Sequence, residues 1–499
     1  MKLLITFFLF FNIIFASSLH FAMRANPSRI NPILSTDSVS SEISQWIFNS
    51  LITYDENASI KSELASSYKF LDDITLIFTL RDDVFWSDGE KFTAKDVFFT
   101  YETILSPNIF TPYSEGFKHV KNVELLDDYN IKITYKYPYF KALEIWMMGI
   151  LPWHILKDEK DLMTSKFNQN PIGTGPYIIE EFSLSRGIKL RANENYFLGK
   201  PSIDSFIYSF VPDSATAFLM LKSGQLDYAE LTPMQLKKQV DSSFFEKFNI
   251  YETISYSYAY IGFNLNLPIF QDKRVREAIS LSINRDEIVD IILFGEGEVA
   301  TGPFLSGTKA FNENIKAPKQ YIKKEKELLG EAGYNEKNPL KFELVTNSGS
   351  RTYVAQIIQS QLKNSGIDMK IRVLEWQAFL NTVVMPKNYD AVLLAWSLGI
   401  KPDAYQIWHS ESTKMGGFNI VSYKNEKVDE LIKLAEKEVN EERFSHIYQE
   451  IFKLIANDNP YIFLYIPNTI TAIKKDIKGV KPSIIGIKHN ILEWKIGNF

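Results

Sequence analysis

The stretch LRDDVFWSDGEKFTAKDV, Leu80–Val97, reads as a strand end, a turn, a second short strand, a tight turn and a helix start. Ile74–Leu80 is apolar and rich in β-formers, which predicts a strand. Asp88-Gly89 is a hairpin-type turn signal. Thr93 with Asp96 three residues later, just before Val97 and Phe98, is a capping-box pattern and predicts a helix. No catalytic group is arranged here, so on physical grounds alone the stretch is scaffold.

Composition narrows the class. The chain is 499 residues long, enough for more than one domain. A hydrophobic content of 45% and a charged content of 23% are ordinary for a globular protein. The net charge of −5 gives nucleic-acid or anionic-membrane binding no electrostatic support. Aromatic residues reach 14%, most of them expected in the core and some free to line a cleft. Met1-Lys2, the apolar run Leu3–Phe15 and Ala16-Ser17-Ser18 have the form of a secretory signal peptide, with cleavage expected near Ala16. The run is short for a permanent membrane span. With no cysteine, disulfides, thiolate catalysis, Cys metal sites and a lipidated N-terminal Cys are all excluded. A periplasmic protein, not a lipoprotein, is the expectation.

Strand-like and helix-like patterns alternate along the chain, which argues α/β. Strands are expected at Ile131–Tyr135, Tyr177–Glu181 and Ile203–Pro212, the last followed by a helix Ser214–Ser223 stopped by Gly224. The segment from Leu340 to Trp396 reads as strand Lys341–Thr346, a helix through Tyr353, Ile357, Ile358 and Leu362 ending at Gly366, strand Met369–Leu374, short helix Gln377–Val384 and strand Tyr389–Ala395. Such βαβ units predict parallel pairing with right-handed crossovers. Trp376 and Trp396 then fall just past the carboxyl ends of two strands, the edge where open α/β sheets bind ligands. Val428–Ala435 and Phe444–Ile455 read as amphipathic helices packing on that sheet.

Leu80–Val97 closely resembles a signature of the family 5 solute-binding proteins of ABC importers. Further matches follow in order: Asn31-Pro32, Ile172–Tyr177, Asn193–Pro201, Val211–Tyr228, Gly262-Phe263-Asn264, Asp272–Ile279 and Glu327–Tyr334. The resemblance implies a periplasmic-binding-protein type II-like α/β fold, two hinged lobes plus an extra lobe as in peptide-binding members. It implies a discontinuous first lobe of 17–51, 172–257 and 467–499, an extra lobe of 52–171 and a binding lobe of 258–466, with hinge crossings near Ser257–Phe263 and Phe463–Asn468. It also implies an inner-membrane ABC permease with cytoplasmic ATPase subunits as partner, no cofactor and no catalytic residue. A monomer is expected.

In oligopeptide-binding relatives a Trp follows each of two strands, and Trp376 and Trp396 match those positions. The candidate ligand-binding set is Trp376, Trp396, Ser397, Leu398, Gly399, Asp403, Tyr405, Phe418 and Asn419. Aromatic faces supply apolar contact, and neighbouring backbone groups can pair with an extended peptide. Core is the alternative reading for each Trp, and a structural amide role is favoured for Asn264 and Asn419. In the peptide-binding relatives an Asp stands three residues after the second Trp and pairs with the peptide amine; here that position is Gly399. Asp403 could take its place, or simply cap the helix Ala404–His409. Some relatives carry nickel complexes. The six histidines show no paired spacing, and His409 and His489 are the candidates for a single ligand beside a small chelator. The leading expectation is capture of a small peptide or related solute; the alternative is a nickel-chelator carrier on the same fold. A periplasmic hydrolase has no G-x-S-x-G elbow, zinc motif, P-loop or cysteine nucleophile to support it.

Overall fold

The computed structural model describes residues 17–497 apart from 36, 112, 184, 415 and 416. The expected signal segment lies outside them. A twelve-stranded mixed sheet organises most of the chain. In spatial order its main path is 368–374, 341–347, 391–397, 257–263, 461–474, 228–231, 18–23, 205–210, 187–192 and 177–183. Strand Lys341–Asn347 pairs in parallel with both Asp368–Leu374 and Ala391–Ser397, as the βαβ reading requires. Strand Ser18–Met23 pairs in parallel with Ser205–Phe210.

The strand Tyr461–Lys474 joins the two halves of this sheet. Its first half pairs with Ser257–Phe263 and with Gly297–Val299. Its second half pairs with Tyr228–Leu231 and Phe248–Ile254. The sheet therefore changes partners partway along one strand, next to the turn between Ile254 and Ser257.

Period-two alternation puts successive side chains on opposite faces. Ile261, Phe263, Leu344, Leu393 and Leu464 share a core with Val354 and Ile358 of helix Ser350–Asn364. Tyr260, Val345, Val392, Leu394 and Phe463 belong to another core with Val428 and Ile432 of helix Glu426–Ala435 and Tyr448 and Ile451 of helix Glu441–Asp458. A third core holds Phe218, Leu221, Phe244 and Ile470 in the other half.

Residues 65–135 form a separate four-stranded antiparallel sheet, in the order 65–72, 75–80, 130–135, 120–125. The signature stretch joins this sheet to its helix. Trp86 N–H donates to the Glu90 carbonyl (2.8 Å), Gly89 N–H returns to Trp86 (2.9 Å), and Gly89 has φ +95°, which favours glycine. The expected second strand is reduced to a single bridge, Phe85 with Lys91. Helix Ala94–Leu105 starts where the capping box predicts, with Asp96 accepting the N–H of Thr93 (2.8 Å) and of Trp153 (2.9 Å). Burial pushes the Asp96 carboxyl up to about 6 against those two hydrogen bonds. Ser87 N–H donates to the Gly173 carbonyl (2.9 Å), so the signature turn docks on Gly173-Thr174-Gly175. A Cβ on Gly173 would lie 1.8 Å from the Ile47 carbonyl oxygen; the backbone approach there admits only glycine.

Two local readings change. The strand expected to end at Ala395 continues to Ser397, so Trp396 sits inside it rather than past its end. The expected helix from Gln377 is one α-turn, Trp376–Phe379, followed by a π-helical turn, Leu380–Val384.

Candidate functional site

Two adjoining cavities lie where these parts meet. The inner one, about 980 Å³, is floored by Thr253–Ser257, Ser397 and Thr469, the place where the sheet changes partners. Its walls come from helix Ser38–Ile47 and from residues 484–492. The outer one, about 730 Å³, lies between residues 113–147 and the segments 399–406 and 433–437. Tyr54, Tyr113 and Met147 line both.

The inner wall carries a layered polar cluster. Glu42 forms an ion pair with Lys488 and accepts a hydrogen bond from the Tyr208 hydroxyl (3.0 Å), which accepts in turn from the Trp46 indole N–H (2.9 Å). The Lys488 ammonium lies 4.5 Å from the Tyr228 ring centroid and 5.1 Å from that of Phe21. Burial opposes the Lys488 charge, but the facing Tyr228 phenol and Glu42 carboxylate more than offset it and hold the ammonium above the ordinary lysine range. Helix Ser38–Ile47 is positioned by Asp37, whose carboxylate accepts the Ser40 N–H (2.8 Å) at its N-terminus.

The outer cavity is crossed by reciprocal ion pairs. Lys141 meets Asp403 at 3.0 Å, and Lys401 meets Glu144 at 2.7 Å. Phe140 stacks on Phe444 (5.3 Å, 23°), and its N–H donates to the Glu436 carbonyl (3.0 Å). Residues 140–144 are thus clasped to the 401–403 loop and to the helices behind it.

The candidate ligand residues divide among these places. Gly399, Asp403 and Tyr405 line the outer cavity, and Ser397 the inner one. Asp403 is engaged on both oxygens, by Lys141 and by the Tyr405 N–H (3.0 Å), one residue before the N-cap Ala404 of helix Tyr405–Trp408. Trp396 stacks near Tyr260 and donates its indole N–H to the Tyr461 hydroxyl (3.1 Å); Phe418 meets its ring edge-on at 6.0 Å. Trp376 is 40% exposed, just past the end of the outermost strand Asp368–Leu374. None of these three rings lines either cavity. Leu398 donates its N–H to the Tyr256 carbonyl (2.7 Å). Asn419 is fully buried, with its amide bonded to the His409 and Tyr423 carbonyls and its oxygen to the Tyr423 N–H, so it holds the loop together. Asn264 does the same for the Lys387 and Tyr389 carbonyls.

The histidines separate clearly. His409 is 1% exposed, stacks on Tyr405 and accepts the Glu411 N–H at Nδ1, and burial lowers its pKa; it faces neither cavity. His489 lines the inner cavity and donates Nδ1–H to the Gly486 carbonyl (3.1 Å), which leaves Nε2 as its lone-pair nitrogen. Among the described residues no group of three or more His, Asp or Glu could hold a metal ion by itself. Glu42, Lys488 and Glu436 escaped the sequence reading, since no motif marks them.

A two-part sheet joined through one long strand, with cavities at the join and beyond it, defines a solute-binding architecture. The profile of the bacterial extracellular solute-binding proteins, family 5 (middle region), matches residues 59–417, and the chain belongs to that family. It is 34% identical over 492 residues to the oligopeptide-binding protein AppA of Bacillus subtilis, covering 94% of this chain and 89% of that one. The structure of that AppA in complex with a nonapeptide matches with a TM-score of 0.86 at 33% identity, over 96% of this chain and 99% of that chain. NikZ from Campylobacter jejuni in complex with Ni(L-His) matches with a TM-score of 0.86 at 30% identity, over 97% and 100%. No described helix is long and apolar enough to cross a membrane.

Proposed function

We propose that the chain is the periplasmic binding component of an ABC importer that captures a small peptide. The observation that carries this reading is the inner cavity of about 980 Å³ at the join of the sheet, which shares Tyr54, Tyr113 and Met147 with a second space of about 730 Å³. Two adjoining spaces of this size leave room for more than one residue of an extended chain. The similarity to AppA supports the solute class. Gly399, Asp403, Tyr405 and Ser397 are the proposed contacts, with Trp396, Trp376, Leu398 and Phe418 shaping the loop around them. The proposed lobes are 17–51 with 172–257 and 467–499, the extra lobe 52–171, and 258–466. They swing about Ser257–Phe263 and Phe463–Asn468 as ligand favours the closed form. Export by a cleaved signal peptide, a monomeric state and delivery to a permease with ATPase subunits complete the reading; the bound solute leaves chemically unchanged.

A nickel-complex carrier is the second reading, and His489 favours it. Its Nε2 on the inner wall can serve as one ligand to a metal already held by a small chelator, and the likeness to NikZ is consistent with that. Calorimetry against a peptide mixture and against nickel with free histidine separates the two, with native mass spectrometry of the purified protein as the direct readout. A retained peptide mass and a smaller radius of gyration on peptide addition are expected. Binding of nickel–histidine alone, abolished in His489→Ala, transfers the assignment to the second reading.

A further inference from the structure

We infer that the outer cavity recognises a cationic group of the bound solute, an ammonium or guanidinium, through the carboxylate of Glu436. This rests on the peptide reading and names the group that reading leaves unassigned. Gly399 carries no charge, and Asp403 already holds Lys141 and accepts the Tyr405 N–H.

Four of the five lysines that line the cavity are paired, and the fifth, Lys437, lies over the Tyr137 ring (5.2 Å) with no ion pair among the described residues. Lys141 is paired with Asp403, Lys401 with Glu144, Lys118 with Glu115 and Lys433 with Glu411. Among the described residues the Glu436 carboxylate has neither an ion pair nor a hydrogen bond. Its position is also unfavourable: Glu436 is the C-cap of helix Glu426–Ala435, where the helix dipole presents negative charge. A half-buried acid at a helix C-terminus with no directly paired cation is costly in the empty protein, and a bound cation lowers that cost. The surroundings suit one. Tyr137, Tyr139 and Tyr405 line the same space, with Lys437, His119 and His409 respectively against one face of each ring. His119 stacks on Tyr139 (4.2 Å) and burial keeps it below the ordinary histidine range, so it adds no competing charge near neutrality.

Burial and then the Asp403 charge push the Glu436 carboxyl up to about 7; Lys433 and Lys437 act against them, and Glu411 adds to the rise. A cation arriving beside it favours the ionised form, so binding near neutral pH releases a proton.

The shared chemistry has two sources, the peptide amino terminus and a Lys or Arg side chain. The test titrates four versions of one short peptide by calorimetry at about pH 7: free, N-acetylated, with one lysine, and with norleucine in its place. It is repeated in two buffers of different ionisation enthalpy. Wild type is expected to favour the charged member of one pair by about tenfold or more and to release a proton only with it. Loss of that preference on N-acetylation assigns the amine; loss on Lys→norleucine exchange assigns the side chain. Glu436→Gln is expected to bind charged and neutral members alike. A cation preference that survives Glu436→Gln, or peptide binding with neither preference nor proton release, overturns the inference and leaves the peptide reading intact. Proton release that is equal for charged and neutral peptides overturns it without any variant. A wild-type protein that binds no peptide overturns both.

Discussion

The inner and outer cavities solve the problem of charge in opposite ways. Around the inner one, Glu42 and Lys488 neutralise each other, with Tyr208, Trp46 and Tyr228 completing their contacts. Glu63 on the same cavity is held by hydrogen bonds from Asn49 and Ser50. Around the outer one, the ion pairs tie distant segments together and leave Glu436 unmatched. The difference implies that the inner region supplies shape and permanence, and the outer region supplies selectivity and responds to the solute.

The largest effect should come from breaking the inner pair. Lys488→Met leaves the Glu42 carboxylate facing Tyr208 without its cation. The pair is as exposed as Lys141–Asp403, at 21% and 32%, but the Lys488 ammonium also lies over the Tyr228 and Phe21 rings and Glu42 holds the Tyr208 hydroxyl, so the loss is expected at about 2 kcal/mol. Urea unfolding measures it. Glu42→Gln with Lys488→Met should recover most of the loss, because a neutral pair leaves no stranded charge. If the double variant is as unstable as the single, the pair is not what holds this wall.

A second intervention sharpens the outer region. A Cβ on Gly399 would meet only the Lys401 carbonyl oxygen, at 3.6 Å, so a side chain fits. Gly399→Asp should raise the preference for a free over an acetylated peptide amine by about tenfold, roughly 1.4 kcal/mol. Competition binding of the two peptide forms reads it directly. An unchanged ratio means the solute amine lies elsewhere.

These two regions were unequally legible in the sequence. Local signals are strong where the chain dictates its own conformation. The Asp88-Gly89 turn, the Thr93/Asp96 helix start and the parallel strands around Lys341–Asn347 follow from neighbouring residues, and the structure has them. Gly399, Asp403 and Tyr405 were reachable because they sit in one short loop beside a motif. Glu42 and Lys488 were not, since 446 positions separate them and only the folded sheet brings them together. Glu436 was hidden for a related reason. On a helical pattern it reads as one more solvated acid, and its lack of an ion pair becomes visible only once Lys141, Lys401 and Lys433 have found other partners. Trp396 misled in the other direction, because two further residues of strand pairing carried it into the sheet beside Tyr260.

The smallest expected effect separates the two roles open to Asp403. As a recognition acid it would bind the peptide amine, and Asp403→Asn would weaken free-amine peptides about a hundredfold. As a clasp it holds Lys141 across the cavity and accepts the Tyr405 N–H. Both side chains are partly exposed, at 20% and 33%, and such pairs contribute about 0–1 kcal/mol. An Asn side chain still accepts from the Tyr405 N–H, so that hydrogen bond survives the exchange. Asp403→Asn should therefore change stability and peptide affinity by no more than a few-fold, equally for free and acetylated peptides, and Lys141→Met should behave the same way. In a double-mutant cycle the two changes should couple by less than about 1 kcal/mol, because either alone already opens the clasp. A hundredfold loss confined to free-amine peptides, seen in Asp403→Asn but not in Lys141→Met, would return the recognition role to Asp403. It would also mean that Lys141 yields its partner when the solute arrives.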